Sequence, residues 1–150
     1  MNTLRVTSLA ATARSRLATV TLKAPLLQAA RLLSHTHIGL VVVCQPDGTV
    51  AGVVSQTDVL RQIGHCAGQA CQTLACDIMT ADAICCRPDE WLADVLARME
   101  QRGLVHVPVL DADRRPIGVV NARDALRALV QAGEYEESLL REYVMGIGYH

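Results

Sequence analysis

The sequence predicts a mixed α/β (α+β) fold built from two similar units that pack on each other. Three observations predict it. The segment Gly52 to Arg61 (GVVSQTDVLR) recurs at Gly118 to Arg127 (GVVNARDALR), 66 residues later. The offset holds upstream without a gap, aligning Leu26 with Leu92, Val41 with Val107, Val43 with Val109 and Asp47 with Asp113. In each copy a segment of helical period leads into two short apolar runs joined by a turn, and then into a second helix. Copies this short bury little apolar surface alone, so the halves are expected to share an interface, and a ligand is expected there.

In the first copy a short extended piece, Ala18 to Leu22, precedes Pro25, which opens a helix with apolar Leu26, Leu27, Ala30 and Leu33. Ile38 to Cys44 reads as a buried strand, Pro46-Asp47-Gly48 as a turn and Val50 to Val54 as the returning strand. A second helix runs from Gln56 to about Ile63. The second copy repeats this order. Ala83 to Cys86 is extended, Trp91 to Gln101 helical, Val105 to Leu110 a strand, Asp111 to Arg114 a turn, Ile117 to Val120 a strand and Ala122 to Val130 a helix. The linker Gly64 to Thr80 holds Gly64, Gly68 and a short helix ending near Met79. After Gly133, Glu134 to Met145 reads as helical, with Tyr135, Leu139, Tyr143 and Val144 as a sparse apolar stripe. The boundaries are an N-terminal arm at 1–16, a first repeat at 17–64, a linker at 65–80, a second repeat at 81–130 and a C-terminal helical tail at 131–150.

Composition excludes several classes. Over 150 residues, 51% are hydrophobic and 19% charged, a globular balance. The longest apolar run, Ile38 to Cys44, is far short of the ~20 residues of a membrane helix, so the chain is expected to be soluble. Five basic residues (Arg5, Arg14, Arg16, Lys23, Arg31) and no acid precede Asp47. That start resembles a transit peptide, but no amphipathic helix is evident in Met1 to Arg16, and the repeat begins near Leu17. As a nucleic-acid arm the charges are too sparse and lack aromatic partners. None of the six cysteines (Cys44, Cys66, Cys71, Cys76, Cys85, Cys86) forms a C-x-x-C pair, so they read as small apolar residues in a reducing cytoplasm. A metal site from His35, His37, His65 and Cys66 would need His35 and His37 to project together from a helix end; polar loop residues are the plainer reading.

The duplicated pattern resembles a tandem CBS-domain pair, or Bateman module, over roughly residues 17 to 130. The resemblance rests on Asp77-Ile78-Met79-Thr80 between the copies, His106-Val107-Pro108-Val109 entering a strand, and G-V-V-[ST]-x-x-D closing it. It implies two β-α-β-β-α repeats, related by pseudo-twofold symmetry and packed sheet to sheet. It also implies two clefts for AMP, ADP, ATP or S-adenosylmethionine, no required cofactor, and a homodimeric disc of two such pairs. The effector protein is not named by the sequence. With no effector domain within these residues, the partner acts in trans or the chain sequesters its ligand.

The site chemistry can be read from the residues. A carboxylate just inside a helix accepts both hydroxyls of a ribose, while hydroxyls and free N–H groups of the helix start meet phosphate. Asp58 and Asp124 are so placed; Ser55 and Thr57 add hydroxyls, and Val53, Val119, Ile38 and Leu104 offer apolar walls. The resemblance implies that each cleft borrows from the other repeat. The Asp58 cleft would take Ile84, Leu104 and Val105, and the Asp124 cleft Ala18, Ile38 and Gly39. It also implies that His106 stands where relatives often carry a basic residue facing the phosphates, so that as a neutral or protonated imidazole it would make the anion contact pH-sensitive; a strand histidine beside Pro108 that hydrogen-bonds to backbone is the equal alternative. Ser55-x-x-Asp58 and Asn121-x-x-Asp124 are capping signatures too, compatible with binding. In the second copy Asn121 replaces the hydroxyl residue, and Arg123 stands where the first has Thr57, to bind phosphate or fill the cleft by its bulk. The Asp58 cleft is therefore favoured.

A regulatory module that senses an adenosyl ligand is the leading function. A structural or protein-interaction module with vestigial clefts is the alternative. An enzyme is disfavoured, because no nucleophile with a base, no P-loop and no metal signature is visible.

Overall fold

A computed structural model describes residues 3–66 and 72–135. The expected tail stripe beyond Tyr135, with Leu139, Tyr143 and Val144, lies outside the described residues, as does the linker around Gly68.

The first repeat runs β1 (Thr19–Thr21), α2 (Leu26–Leu33), β2 (Leu40–Cys44), β3 (Val50–Ser55) and α3 (Gln56–Cys66), preceded by α1 (Ala10–Ser15). The second follows α4 (Ala75–Ile78) with α5 (Leu92–Arg102), β4 (His106–Leu110), β5 (Pro116–Asn121) and α6 (Ala122–Gln131). β1 lies parallel to β2, and β2 antiparallel to β3. β4 and β5 form the matching antiparallel hairpin, with Cys86 bridged in parallel to Val109 in place of a full third strand. Both hairpins carry an irregularity at the aligned position, between Val43 and Cys44 and between Val109 and Leu110.

Local chemistry sets the element ends. Pro25, extended at φ −63° and ψ 146°, caps α2. Gly103 at φ 65° ends α5, and the amide of Leu104 donates to the carbonyl of Met99, the Schellman arrangement that a left-handed residue permits. Ile38 is buried two residues ahead of β2 instead of inside it. In α2 the inward positions are Leu26, Ala29 and Leu33, while Leu27, expected in the core, is 51% exposed.

Strand alternation builds three cores. Val41, Val43 and Val54 point to α2 and α3, meeting Leu26, Ala29, Leu33 and Val59. Val107, Val109 and Val120 point to α5 and α6, meeting Leu92, Leu96, Met99, Leu126 and Leu129. The opposite faces, Leu40, Val42 and Val53 from one sheet and Val119 from the other, pack sheet to sheet. With both faces covered, β2 is an unbroken apolar run, as the sequence shows.

The residues before Leu17, expected as an arm without helical amphipathicity, are instead part of the second repeat's core. Val6 and Leu9 are buried among α5 and α6, and α1 lies on β5. The missed signal was short: Val6, Leu9 and Ala13, spaced by three and four residues, are the buried face, yet Ala13 carries too little apolar weight to show as a stripe. The linker helix α4 mirrors this on β3 of the first repeat. An ideal Cβ on Gly118 would meet Ala13, and one on Gly52 would meet Met79, aligned pairs 66 residues apart. Each pre-repeat segment thus crosses to cover the other repeat.

Candidate functional site

One cavity of about 330 Å³ opens between the repeats. From the first repeat come Leu40, Val53, Ser55 and Asp58; Thr80, Asp82, Ala83, Ile84, Arg102, Leu104, His106 and Pro108 complete the lining. Of the residues singled out for the Asp58 cleft, Val53, Ser55, Asp58, Ile84, Leu104 and His106 therefore meet at one cavity. Thr57 and Val105 do not line it. Thr57 is two residues past Ser55, about 200° around the helix, and exposed. Val105 lies between Leu104 and His106, so strand alternation turns it away, 36% exposed, while its carbonyl accepts from the amide of Ala122.

Ser55 and Asp58 form the reciprocal cap expected of them. Asp58 Oδ2 accepts from the Ser55 amide at 2.8 Å and its hydroxyl at 3.0 Å, while the Asp58 amide donates to Ser55 Oγ at 3.3 Å. That leaves Oδ1, approached at 3.7 Å by Arg61, whose side chain is 63% exposed. A pair so solvated is weak, so Oδ1 keeps acceptor capacity, and Asp58 lines the cavity.

The aligned Asp124 is arranged otherwise. Asn121 Oδ1 caps α6, accepting from the amides of Arg123 and Asp124 at 2.8 and 3.1 Å. The Asp124 carboxylate turns to Arg16, which binds it through Nε at 2.5 Å and Nη2 at 3.1 Å and donates from Nη1 to the carbonyl of His37 at 3.0 Å. Arg16, and not Arg123, is the side chain seated on Asp124. The sequence conceals this because Arg16 lies 108 residues away, in the segment before the first repeat. Of the other residues singled out there, Ile38 and Val119 are buried in the cores, and Ala18 gives its carbonyl to the amide of Val42.

His106 stands between the two clefts. Its ring packs on Gly39, where any Cβ would lie 2.2 Å from the imidazole. Because Asn121 Oδ1 is committed to the cap, its Nδ2 faces His106 Nε2 at 3.0 Å as a donor, so Nε2 is the unprotonated nitrogen. Burial, with Arg16 adding to it, depresses the imidazole pKa to about 4 against the pull of Asp124. Near neutral pH His106 is therefore uncharged, the neutral of the two imidazole forms, and stands as a wall and acceptor. Among the described residues the cation lining the cavity is Arg102; neither it nor Asp82 belongs to a motif visible in the sequence.

The thiols are free where described: Cys86 is buried and Cys44, Cys76 and Cys85 half-buried. His35 and His37 place their rings 6.0 Å apart, and among the described residues no three metal-ligating side chains gather.

A family model for the CBS domain matches residues 7–65 and 75–131. The mitochondrial CBS domain-containing protein CBSX3 of Arabidopsis thaliana is 29% identical over 125 residues, covering 81% of this chain and 60% of that protein. A homoserine O-acetyltransferase of Methanohalobium evestigatum is 28% identical over 102 residues, covering 68% of this chain and 20% of the enzyme, so the chain spans less than two thirds of either relative, and only a fifth of the enzyme. Among solved structures, CBSX2 in complex with AMP superposes with a TM-score of 0.74 at 24% identity, covering 87% of this chain and 99% of that one. A CBS-domain pair in complex with 5′-methylthioadenosine and S-adenosyl-L-methionine gives 0.72 at 21% identity, covering 86% and 98%. With matched repeats, a shared fold and a cleft between them, the chain belongs to the CBS-domain family, as a tandem pair.

Proposed function

We propose that the chain is a regulatory module that binds an adenosyl ligand in the Asp58 cleft and signals to a partner protein in trans. The observation that carries this is a cavity at the interface of the repeats in which a carboxylate with a spare oxygen, Asp58, faces apolar walls of Val53, Ile84 and Leu104. Those walls suit a purine, and Asp58 Oδ1 suits a ribose diol. A ligand there touches both repeats. It shifts their arrangement only by as much as it prefers one arrangement over another. Relatives found with AMP, 5′-methylthioadenosine and S-adenosyl-L-methionine support the ligand class. No turnover is part of the reading; where such repeats occur in an enzyme relative, this chain spans a fifth of its length.

Pairing into a homodimer belongs to the same reading. Leu27, Leu60 and Ile63 on α2 and α3 are 51%, 68% and 51% exposed, whereas Leu126 and Leu129, the aligned counterparts of Leu60 and Ile63, are buried in one core with Val6 and Leu9. An apolar face left open on one repeat suits a second copy. A cytoplasmic setting fits a sensor of free metabolites; among the described residues no helix is long and apolar enough to cross a membrane. The experiment is calorimetric titration of ligand-stripped protein with AMP, ADP, ATP and S-adenosylmethionine, repeated with Asp58→Asn. Micromolar binding, about −8 kcal/mol, that weakens at least tenfold in a folded Asp58→Asn variant supports the reading. Absence of binding to all four favours the interaction module with vestigial clefts.

A further inference from the structure

The two clefts differ at one aligned position. The 66-residue offset pairs Arg16 with Asp82, as it pairs Ala13 with Met79 in their matching contacts with Gly118 and Gly52. The Asp124 cleft therefore shows what this register reaches. A side chain leaving the segment after the pre-repeat helix arrives at the helix-start carboxylate, with Arg16 bound there by two nitrogens at 2.5 and 3.1 Å. In the Asp58 cleft the same register carries Asp82, which lines the cavity alongside Asp58.

A short acid neither fills that space nor neutralises its neighbour. It keeps the first cleft open and adds a second negative charge. Against two carboxylates, the lining offers one guanidinium, Arg102, and the neutral His106; Arg61 approaches Asp58 from solvent. A polyphosphate entering here adds several negative charges to a cavity in which, among the described residues, Arg102 is the one lining cation. A sulfonium, an ammonium or an uncharged thioether beyond the ribose meets no such repulsion.

We propose that Asp82 makes the Asp58 cleft selective for adenosyl ligands that carry no phosphate chain, neutral or cationic beyond the ribose. This rests on the nucleoside reading of that cleft. The second cleft supplies the internal comparison, since there a cation already satisfies the carboxylate.

The test titrates the full, ligand-stripped chain with 5′-methylthioadenosine, S-adenosylmethionine and ATP by calorimetry, in wild type, Asp82→Asn and Asp82→Arg. Asp82 is exposed at the cavity rim, so folding should survive, and the thermal midpoint checks it. The expected result is that wild type binds a phosphate-free ligand at least about tenfold tighter than ATP. Asp82→Asn should narrow that ratio by improving ATP, and added salt should narrow it in wild type. Asp82→Arg should close the cleft to all three, as Arg16 closes its counterpart. If ATP binds tightest, or if Asp82→Asn leaves the ratio unchanged while a nucleoside still binds, charge selection is wrong and the nucleoside reading stands. If none of the three binds wild type, both fall.

Discussion

Replacing Arg16 by alanine removes the cation seated on Asp124 and reopens the space it occupies. The side chains of Arg16 and Asp124 are 22% and 11% exposed, so the pair is neither dry nor freely solvated. Breaking a fully buried pair from one side costs about 3–5 kcal/mol because a charge is left unpaired. Partial access of water lowers the cost here to about 2 kcal/mol, a fall in melting temperature on the order of 5 °C for a chain of this size. The freed carboxylate then resembles Asp58, so a nucleoside that binds wild type once per chain is expected to bind the variant twice. Differential scanning calorimetry reads the first effect and the stoichiometry of isothermal titration the second. A double-mutant cycle with Asp124→Ala should return a coupling of about 1–2 kcal/mol. An unchanged melting temperature together with additive effects would show that the contact carries no weight, and the account of the closed cleft would be wrong.

Three further predictions follow from the same geometry. His106 is held neutral in the folded protein with a pKa near 4, against an ordinary value of 6.5. The unfolded chain therefore binds the extra proton first, and stability falls as pH drops from 6.5 toward 4 by at most about 3 kcal/mol, a loss that His106→Gln should abolish in denaturant titrations at stepped pH. Gly52→Ala should destabilise by about 1–3 kcal/mol in chemical denaturation, since its Cβ would stand 2.7 Å from the carbonyl of Thr80, which the strand bridge to Val53 holds in place. Cys86, whose thiol burial pushes up to about 12, should resist alkylation at pH 8 in the native state and react on unfolding, as mass spectrometry of trapped peptides would show.

How far the sequence reached depends on what its patterns encode. The repeat offset and the alternation of Val41, Val42 and Val43 specify strands covered on both faces, because burial on two sides leaves no room for polar residues. Ser55 and Asp58 were legible as a cap, since the cap is a local chemical signature that needs no tertiary contact. The crossing of α1 onto β5 was not legible: a six-residue helix with one buried residue, Ala13, carries no periodic signal. Arg16 on Asp124 followed from that crossing and was hidden with it. The aligned exchange of Arg16 for Asp82 was present in the sequence, yet its meaning required knowing that the register points into the clefts. The sequence leaves the charge of His106 open for a related reason, because its burial against Gly39 and the commitment of Asn121 to the cap are tertiary facts. The sheet-facing Val53 shows the opposite case, where a residue read as a purine wall also belongs to the packed interface of the repeats.

The most direct measurement is an amide chemical-shift titration of isotopically labelled protein with S-adenosylmethionine or AMP. The account predicts saturable shifts at Val53, Ser55, Asp58, Ile84 and Leu104, with Asn121 and Asp124 responding little while Arg16 is in place. Shifts centred on Asp124, or none at saturating ligand, would contradict it.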